Sequence, residues 1–279
     1  HEYFQERTLS MNIFTPKFSR TECFFSSLQR DLRLFFFMLV LLCIYRAVFM
    51  ADLSDFISET TSPAEIALAN FMGLRLSFKT AGWCAALVFL FASVPTIFFP
   101  RRADFFNRLR LFFGSIEIFI FSVLFFARFP FYREFHCTYN VQVMAGANDD
   151  LASVFWMMVE EYGLVWRLAI AIFLTVVLIF LLKKILAFRT FELPSFFCGR
   201  PLIFTAAFFP VFAAFFLFVR FGGAFTYGGG VNWESAGVTS DAFLNECILD
   251  DGQAMYRVHE MEERMQWGQI EGVEKERVW

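Results

Sequence analysis

The run LVWRLAIAIFLTVVLIFLLKKIL, from Leu164 to Leu186, decides the fold class, because it carries no charge between Arg167 and Lys183. A helix needs about 20 apolar residues to cross a hydrocarbon core about 30 Å thick. Backbone groups in lipid must pair within the protein, which favours helices over open strands. Four further runs meet or approach the required length: Leu34–Ala51, Thr80–Phe99, Leu111–Pro130 and Leu202–Val219. The sequence therefore predicts an all-α integral membrane protein with five transmembrane helices.

The composition of the 279 residues supports the same class. Hydrophobic residues make up 58% and charged residues 18%, and phenylalanine alone occupies 44 positions. A water-soluble domain cannot hide that much apolar surface. The formal net charge is -3 and no basic tract stands out, which argues against nucleic-acid binding.

The positive charges predict the orientation, since Lys and Arg concentrate in cytoplasmic segments. They flank the spans in three groups: Lys17, Arg20, Arg30 and Arg33; Arg101, Arg102, Arg108 and Arg110; Lys183, Lys184, Arg189 and Arg200. The connection after the first span is acidic instead, with Asp52, Asp55, Glu59 and Glu65. This pattern predicts a cytoplasmic N-terminus and an outer C-terminus.

The predicted spans divide the chain into three parts. Residues 1–33 form a cytoplasmic N-terminal segment, residues 34–219 the five-helix transmembrane domain, and residues 220–279 an extracytoplasmic linker. Residues 1–10 precede the first methionine, Met11, and are interpreted as a cloning remnant or a misplaced start.

Two charges lie inside the predicted spans, Arg46 late in the first and Glu117 early in the third. A charge at the bilayer centre costs at least a few kcal/mol, so each needs a partner or a route to water. One arrangement is a buried ion pair between them. The other is an Arg46 side chain that extends outward while Glu117 faces a polar bundle interior. Both residues are therefore candidates for a polar interior.

A short helix is predicted over residues 151–162, between the third and fourth spans. Asp149 or Asp150 precedes it as an N-cap, and Gly163 follows it as a C-cap. Its apolar residues recur at helical spacing, and its two glutamates lie off that stripe. Twelve residues are too few to cross a bilayer, so this helix is expected to lie in the outer interface.

The segment after the fifth span begins with Phe221–Gly230, which holds five glycines and is expected to be a flexible exit from the membrane. Ser240 or Asp241 is then expected to cap a helix over residues 242–249. A charged helical segment is predicted over residues 253–265. This outer tail is polar enough to be a solvated connector and too short for a core of its own.

The six cysteines form no CxxC pair and show no metal-ligand spacing, so the sequence predicts no metal site in this chain. Cys137 and Cys247 both fall on the predicted outer side. A disulfide between them is one alternative, and two free thiols are the other.

The sequence contains no recognisable catalytic motif, neither a nucleophile elbow nor HExxH nor an ordered Ser, His and Asp set. His136 is the imidazole nearest the membrane and a candidate ligand or base, although a surface hydrogen bond explains it more simply. Paired acids can bind a divalent ion, but helix capping and solvation explain them more simply. The pairs are Asp149 with Asp150 and Glu160 with Glu161.

Two stretches resemble a known family. The first is FPFYREFH at 129–136, with Glu134 and His136, followed by Asn148, Asp149, Asp150, Glu160 and Glu161. The second is RFGG at 220–223 with AFLNE at 242–246, which contains Asn245 and Glu246. Together they resemble the outer segments of lipoteichoic-acid-synthase-like membrane sulfatases, which are phosphoglycerol transferases. The resemblance covers Leu34 to Met265.

The resemblance implies a multi-pass protein of the bacterial cytoplasmic membrane that tethers an extracytoplasmic domain of the alkaline-phosphatase/sulfatase superfamily. That domain uses a threonine nucleophile and a divalent metal, typically manganese, to move phosphoglycerol from phosphatidylglycerol to an acceptor. This sequence ends at Trp279, where such a domain is expected to begin, so neither the nucleophile nor the metal ligands map onto its residues. The chain is therefore expected to be a fragment or shortened relative that contributes anchoring and lipid presentation.

Five residues near the predicted outer ends of the spans suggest a lipid-headgroup site: Arg128, Tyr132, Arg133, Arg167 and Arg220. Arginine forks suit lipid phosphate, and aromatic rings suit the headgroup boundary. The hypothesis is that this cluster holds an anionic headgroup, which the resemblance identifies as phosphatidylglycerol. The alternative is a set of independent anchors at helix ends.

Two other function classes fit the sequence. The membrane domain of a phosphoethanolamine transferase shares the five-span plan but takes phosphatidylethanolamine as its donor. A non-enzymatic membrane scaffold would use the acidic tail to bind a partner. Donor exchange on lipid vesicles separates the phosphoethanolamine transferase class from a phosphoglycerol transferase.

Overall fold

The structure, a computed structural model, describes residues 20–140, 143, 151–197 and 199–270. Every regular element within those ranges is helical, as the sequence predicts. The helices are α1 (Arg20–Asp52), α2 (Pro63–Val88), α3 (Val94–Phe98), α4 (Ala103–Phe135), α5 (Leu151–Glu160), α6 (Leu164–Ala187), α7 (Pro201–Arg220), α8 (Ala242–Ile248) and α9 (Asp251–Ile270).

Five helices are long and apolar enough to cross a membrane, which confirms the predicted number of spans. A π-helical turn, Phe89–Ser93, joins α2 to α3, so the second span is one helix over Pro63–Phe98. At 1.5 Å per residue the 33 residues of α1 and of α4 extend about 50 Å, well beyond a hydrocarbon core of about 30 Å. Both helices therefore project from the apolar layer.

The bundle has two ends, which we name by their contents. The α9 end holds the C-terminal ends of α1, α4 and α7 together with α5, α8 and α9. The opposite end holds the start of α1 and the connections between α3 and α4 and between α6 and α7. The predicted orientation places the α9 end outside the cell.

The polar residues at helix ends explain where the chain turns. Ser62 and Glu65 form a reciprocal capping box at the start of α2, with Pro63 in the first turn. His136 ends α4 in the left-handed conformation, with φ 52°. Gly163, with φ 61°, separates α5 from α6 at the predicted position.

The apolar core is built around α1. Of the most apolar window of α1, 56% is buried, against 11% for α6 and for α7. Leu34, Met38 and Phe49 of α1 have no exposed surface. The helices α6 and α7 instead expose large side chains such as Phe173 and Phe209. A helix that is apolar on all sides and packed on only one suits contact with lipid.

A buried ion pair joins α1 to α4 at the opposite end. The Arg110 Nε lies 2.6 Å from an oxygen of Asp31, and both side chains are almost completely buried. One terminal nitrogen of Arg110 donates to the hydroxyls of Ser27, at 2.6 Å, and of Ser93, at 2.9 Å. The Ser93 hydroxyl donates to Asp31 in turn. These bonds satisfy a charge pair that would otherwise be costly to bury.

The tail after the fifth span is not a solvated connector, and that expectation is wrong for its first half. Leu244, Cys247 and Ile248 of α8 and Ala254 of α9 have no exposed surface. The helix α8 packs against α1 and α2, and α9 packs against α2 and α4. The apolar side chains of this segment are buried in the core of the helix bundle, and this burial stabilises it. The segment therefore needs no separate core.

The glycine-rich stretch is hydrogen-bonded to α2, so the prediction of a flexible exit from the membrane is wrong. Arg75 donates to the carbonyl oxygens of Gly222, at 2.8 Å, and Gly229, at 2.5 Å, and Lys79 donates to that of Val231 at 2.8 Å. A Cβ at Gly222 would lie 2.6 Å from the backbone oxygen of Arg75, and φ there is +62°. Glycine is required at this close approach.

Cys137 and Cys247 are both free, so the disulfide alternative is wrong. The Cys247 side chain is fully buried in α8. Cys137 lies after α4, where the amide of Asn140 donates to its sulfur at 3.0 Å. Burial raises the pKa of the Cys247 thiol to about 12, so this cysteine is a small apolar core residue rather than a nucleophile.

Candidate functional site

Arg46 binds the tail to the bundle. Its Nε donates to the carbonyl oxygen of Cys247 at 3.1 Å, and one terminal nitrogen donates to Gly73 O at 2.7 Å and Ser77 Oγ at 2.6 Å. Gly73 makes room for it, because a Cβ there would lie 2.4 Å from Arg46 Cζ. Arg46 is 2% exposed, so it belongs to a polar interior as predicted. Its side chain is buried rather than extended to water, and no ion pair among the described residues joins it to Glu117.

Asp250 is the carboxylate that balances this charge. It accepts hydrogen bonds from Ser77 Oγ at 3.0 Å and Thr80 Oγ1 at 2.8 Å, and from the backbone N–H of Gln253 at 3.0 Å. The last bond caps α9, and Ser77 links Asp250 to Arg46. The residues that anchor the tail therefore come from three distant parts of the chain.

Arg128 makes a second buried connection to the tail. Its terminal nitrogens lie 3.4 Å from an oxygen of Asp251 and 2.9 Å from the carbonyl oxygen of Glu246, and its Cζ lies 4.0 Å from the centre of the Phe49 ring. The side chain is 2% exposed. Arg128 is therefore enclosed by protein and contacts the tail rather than the surface.

The family-motif residues Asn245 and Glu246 organise the tail. Asn245 accepts from the backbone N–H groups of Val238 and Thr239, at 3.2 and 2.9 Å. Glu246 forms bonds of 3.0 Å to Arg257 and accepts from Thr138. Burial raises the pKa of the Glu246 carboxyl, but the Arg257 and Thr138 contacts outweigh it and hold that pKa below its usual value.

The other predicted headgroup residues do not form one site. Tyr132 is buried against the rings of Phe49, Phe56 and Phe243. Arg133 is exposed and pairs with Asp52 at 3.3 Å. Arg167 donates to the carbonyl oxygen of Tyr162 at 2.9 Å and stacks on Trp166, within electrostatic range of Arg133 and Asp52. Arg220 lies in a separate cavity.

The remaining motif positions are surface residues or lie outside the described ranges. His136 is exposed beside the Phe56 ring, which agrees with a surface role. Glu134 interacts with Tyr162. Glu160 and Glu161 are exposed at the end of α5. The positions outside the described residues are Asn148, Asp149 and Asp150.

Glu117 is a half-buried carboxylate in α4. Among the described residues its Oε2 has no hydrogen-bond partner. It interacts electrostatically with Cys84 of α2, which lines the cavity described next. Glu117 therefore faces the bundle interior on the α2 side, as the second arrangement in the sequence analysis expects.

A cavity of about 820 Å³ opens at the α9 end, and we call it the α9 cavity. Its walls are α2, the end of α7 with the glycine-rich stretch that follows, the turn Trp233–Ala236, and α9. Volumes of 300 to 1,000 Å³ are typical of small-molecule sites. The packed tail forms one whole side of this cavity.

Two cations without a carboxylate partner line the α9 cavity. Lys79 uses one proton on Val231 O, and Arg220 stacks on Phe221 at 5.9 Å. The two interact electrostatically, and in the part of the chain that the structure describes neither forms an ion pair. The third cation, Arg264, is already paired with Glu234 at 2.8 Å. A second carboxylate of the cavity, Glu260, lies 3.8 Å from Arg264 as well. Asp250 interacts electrostatically with Lys79 but does not line the cavity. Among the described residues the lining therefore holds three cations and two carboxylates, and both carboxylates lie at Arg264.

The sequence hypothesis contained one of these two cations. Arg220 was a candidate because it follows the fifth apolar run, and it does line the α9 cavity. Lys79 was missed, although it immediately precedes the second apolar run, Thr80–Phe99. The same signal, a cation at the boundary of an apolar run, was available at both positions.

The tail is expected to be held more tightly at pH 5 than at pH 7. Burial raises the pKa of the Asp251 carboxyl to about 6, although Arg128 opposes this shift. The folded protein therefore takes up a proton at a higher pH than the unfolded chain does, so stability rises as pH falls from 7 toward 5.

Unfolding in mixed micelles at several pH values measures this effect. Asp251→Asn should abolish the rise between pH 7 and 5, since it removes the titrating group. At still lower pH stability should fall again, because contacts with Arg257 and Thr138 hold the pKa of Glu246 lower in the folded protein than in the unfolded chain. A wild-type curve that falls steadily from pH 7 to 5 would contradict the assignment.

The family resemblance implies manganese in a catalytic domain outside this sequence, and none of the described residues is assigned to it. Across the described ranges no group of three or more His, Cys, Asp or Glu side chains could hold a metal ion. Asp250 and Asp251 are adjacent, but their oxygens bind Ser77, Thr80 and Arg128 instead. Comparison with protein-family models, curated proteins and solved structures finds no match to this chain.

Proposed function

We propose that this multi-pass membrane protein binds the headgroup of an anionic phospholipid in the α9 cavity and presents it at the membrane surface. Lys79 and Arg220 hold the phosphate. The observation that carries the proposal is a pair of cations that form no ion pair within the described residues, on the wall of a cavity of about 820 Å³ whose two carboxylates, Glu234 and Glu260, lie at Arg264 instead. Cations left unpaired in a partly enclosed site favour an anionic ligand.

The chemistry of the two cations suits a phosphate. An arginine guanidinium offers a planar fork of donors that matches two phosphate oxygens, and a lysine ammonium offers up to three donors. One Lys79 donor is used on Val231 O, at 2.8 Å, which fixes the direction of the side chain. Two donors of Lys79 and the guanidinium of Arg220 remain for a ligand.

The position of the cavity along the spans suits a lipid headgroup. Lys79 is the last residue before the apolar run that begins at Thr80, and Arg220 is the first residue after the run that ends at Val219. Both cations therefore lie at the edge of the apolar layer. Lipid phosphates lie at this level, where aromatic and basic side chains concentrate.

Aromatic side chains surround the cavity on its exposed side. Trp83 is 65% exposed and Tyr227 is 88% exposed. Tyr256 of α9 is also exposed and lies within electrostatic range of Arg220. Such amphipathic rings suit the contact between glycerol, ester groups and acyl chains. The cavity thus combines a cationic wall with an interfacial rim.

The family resemblance extends this proposal to a donor and a reaction. It suggests phosphatidylglycerol as the lipid, the bacterial cytoplasmic membrane as the location, and phosphoglycerol transfer by an extracytoplasmic catalytic domain as the overall activity. In that scheme the described residues supply the lipid and the anchor. The catalytic threonine and its metal belong to a domain beyond them.

Lys79→Ala and Arg220→Ala are each expected to weaken phosphatidylglycerol binding about tenfold or more, since each removes a charge-assisted contact. The measurement is native mass spectrometry of the purified protein with equimolar phosphatidylglycerol and phosphatidylethanolamine. The wild type should retain phosphatidylglycerol preferentially. A preference for phosphatidylethanolamine would favour the phosphoethanolamine transferase class instead.

Arg133→Ala is the matched control. Arg133 is a cation at the same end of the bundle, but it pairs with Asp52 on the surface and does not line the cavity. Its replacement should leave the bound lipid unchanged. Equal losses in all three variants would show general attraction to an anionic surface, and no loss in any would overturn the proposal.

A further inference from the structure

A second cavity lies at the opposite end of the bundle and belongs to no part of the proposed lipid-presentation site. It has a volume of about 240 Å³ and is formed by the start of α1, the first turns of α4 and the end of α6. Its polar wall contains Arg30, Asn107, Arg108, Lys183 and the Arg110 that pairs with Asp31, and no carboxylate is among its described lining residues. We call it the Arg30 cavity.

Arg30 brings a buried hydrogen-bond donor to this cavity. Its Nε is buried and has no hydrogen-bond partner among the described residues. Asp31 and Asp104 interact with it electrostatically, but neither lines the cavity. Asp31 is already committed to Arg110 at 2.6 Å. A buried N–H group without an acceptor is costly, so an acceptor from a ligand would stabilise this arrangement.

Two more cations face the same cavity without a partner. Arg108 and Lys183 are exposed, and no ion pair with either is formed within the described part of the chain. Basic residues that only determine orientation need no common cavity, since their effect depends on their number near the membrane. Here cations from three helices converge on one space.

The remaining wall of the Arg30 cavity is apolar. Leu111 of α4 and Leu186 of α6 lie beside the charged residues. Both belong to the apolar runs that begin or end at this level. A ligand in this position would therefore meet cations on one side and the edge of the apolar layer on the other.

We infer that the Arg30 cavity is a binding site for a phosphate group, held by Arg30, Arg108 and Lys183. Basic pockets between transmembrane helices bind the headgroups of anionic lipids in this way. Guanidinium forks match phosphate oxygens, and Arg30 Nε supplies a buried donor. The phosphate belongs either to an anionic phospholipid of the adjacent leaflet or to a soluble phosphate ester, and the two sources are separable by experiment.

The chain offers a site-resolved probe because it has only five lysines: Lys17, Lys79, Lys183, Lys184 and Lys275. Labelling the lysine side chains with ¹⁵N gives one NMR signal for each, assigned by single Lys→Arg substitutions. Delipidated protein in a neutral detergent is titrated with dihexanoyl phosphatidylglycerol in one arm and with sn-glycerol 3-phosphate in the other. Lys184 is the matched control, since it stacks on Phe180 and does not line the cavity.

The expected result is a saturable shift of the Lys183 signal and little change at Lys184. Arg108→Ala should weaken the binding that Lys183 reports about tenfold, because it removes one charge-assisted contact. Arg108 is exposed, so this variant is expected to fold, and an unshifted Lys79 signal in the unliganded variant verifies that.

The two arms identify the source of the phosphate. A response to the lipid alone assigns the site to a phospholipid, and an equal response to glycerol phosphate assigns it to a soluble ester. Shifts of equal size at Lys183 and Lys184 would overturn the proposal, as would no shift in either arm or an affinity unchanged by Arg108→Ala. The Lys79 signal reports separately on the α9 cavity, so either site can fail without the other.

Discussion

Asp250→Ala is expected to lower the free energy of unfolding by about 3–5 kcal/mol, because it leaves a buried cation without its nearby carboxylate. Asp250 is 2% exposed and Arg46 is also 2% exposed. The substitution also removes the acceptor of the Ser77 and Thr80 hydroxyls and the cap of α9. Reversible unfolding in mixed micelles measures the change.

Asp52→Ala is the control for this prediction. Asp52 is a carboxylate at the same end of the bundle, but it pairs with Arg133 on the surface, where both side chains are at least half exposed. Exposed pairs contribute about 0–1 kcal/mol, so this variant should unfold almost like the wild type. If Asp250→Ala were no more destabilising than Asp52→Ala, the tail would not be anchored as described.

Arg110→Ala is expected to destabilise the opposite end by a similar amount, about 3–5 kcal/mol. Its Nε lies 2.6 Å from Asp31, and the side chain has no exposed surface. Removing it leaves Asp31 buried with only the Ser93 hydroxyl as a donor among the bonds described for it. The substitution also opens space between α1 and α4.

Arg108→Ala is the matched control, since Arg108 lies two residues away on α4 and is exposed. Its removal should change the unfolding free energy by no more than about 0.5 kcal/mol. Asp31→Asn with Arg110→Ala should recover part of the lost stability, because a neutral amide is easier to bury than an unpaired charge. Equal destabilisation by Arg108→Ala and Arg110→Ala would contradict the buried pair.

The spans were predictable because apolar length is a local property of the sequence. Each of the five runs occurs within one long helix, and the short helix before Gly163 and the cap of α8 at Asp241 also lie where the residues indicate. The predicted spans are shorter than the helices that contain them. Polar helical turns beyond the apolar layer, such as Arg20–Arg33, carry no hydropathy signal.

The packing of the tail was not predictable in the same way. The charged residues around Asp250 and Asp251 are typical of a solvated segment when read locally. Their partners lie far away in sequence, Ser77 about 170 residues from Asp250 and Arg128 more than 120 residues from Asp251. A polar side chain needs hydrogen-bond or ion-pair partners, but the local sequence does not indicate whether water or another helix supplies them.

The five candidate headgroup residues do not form one cluster, for a related reason. Arg128, Arg133, Arg167 and Arg220 were grouped because all lie near the same ends of the spans. Depth in a membrane does not determine the direction in which a side chain leaves its helix. The structure separates them into a buried pair, a surface cluster and the α9 cavity, where Lys79 takes the second cationic position.

The central claim is that the phosphate of an anionic phospholipid lies between Lys79 and Arg220 in the α9 cavity. Solid-state NMR measures this directly as a dipolar coupling between the ¹⁵N-labelled side chain of Lys79 and lipid ³¹P in phosphatidylglycerol bilayers. A strong coupling at Lys79 that Arg220→Ala weakens is the predicted result. A folded protein whose Lys79 shows no coupling to lipid phosphorus would contradict the claim.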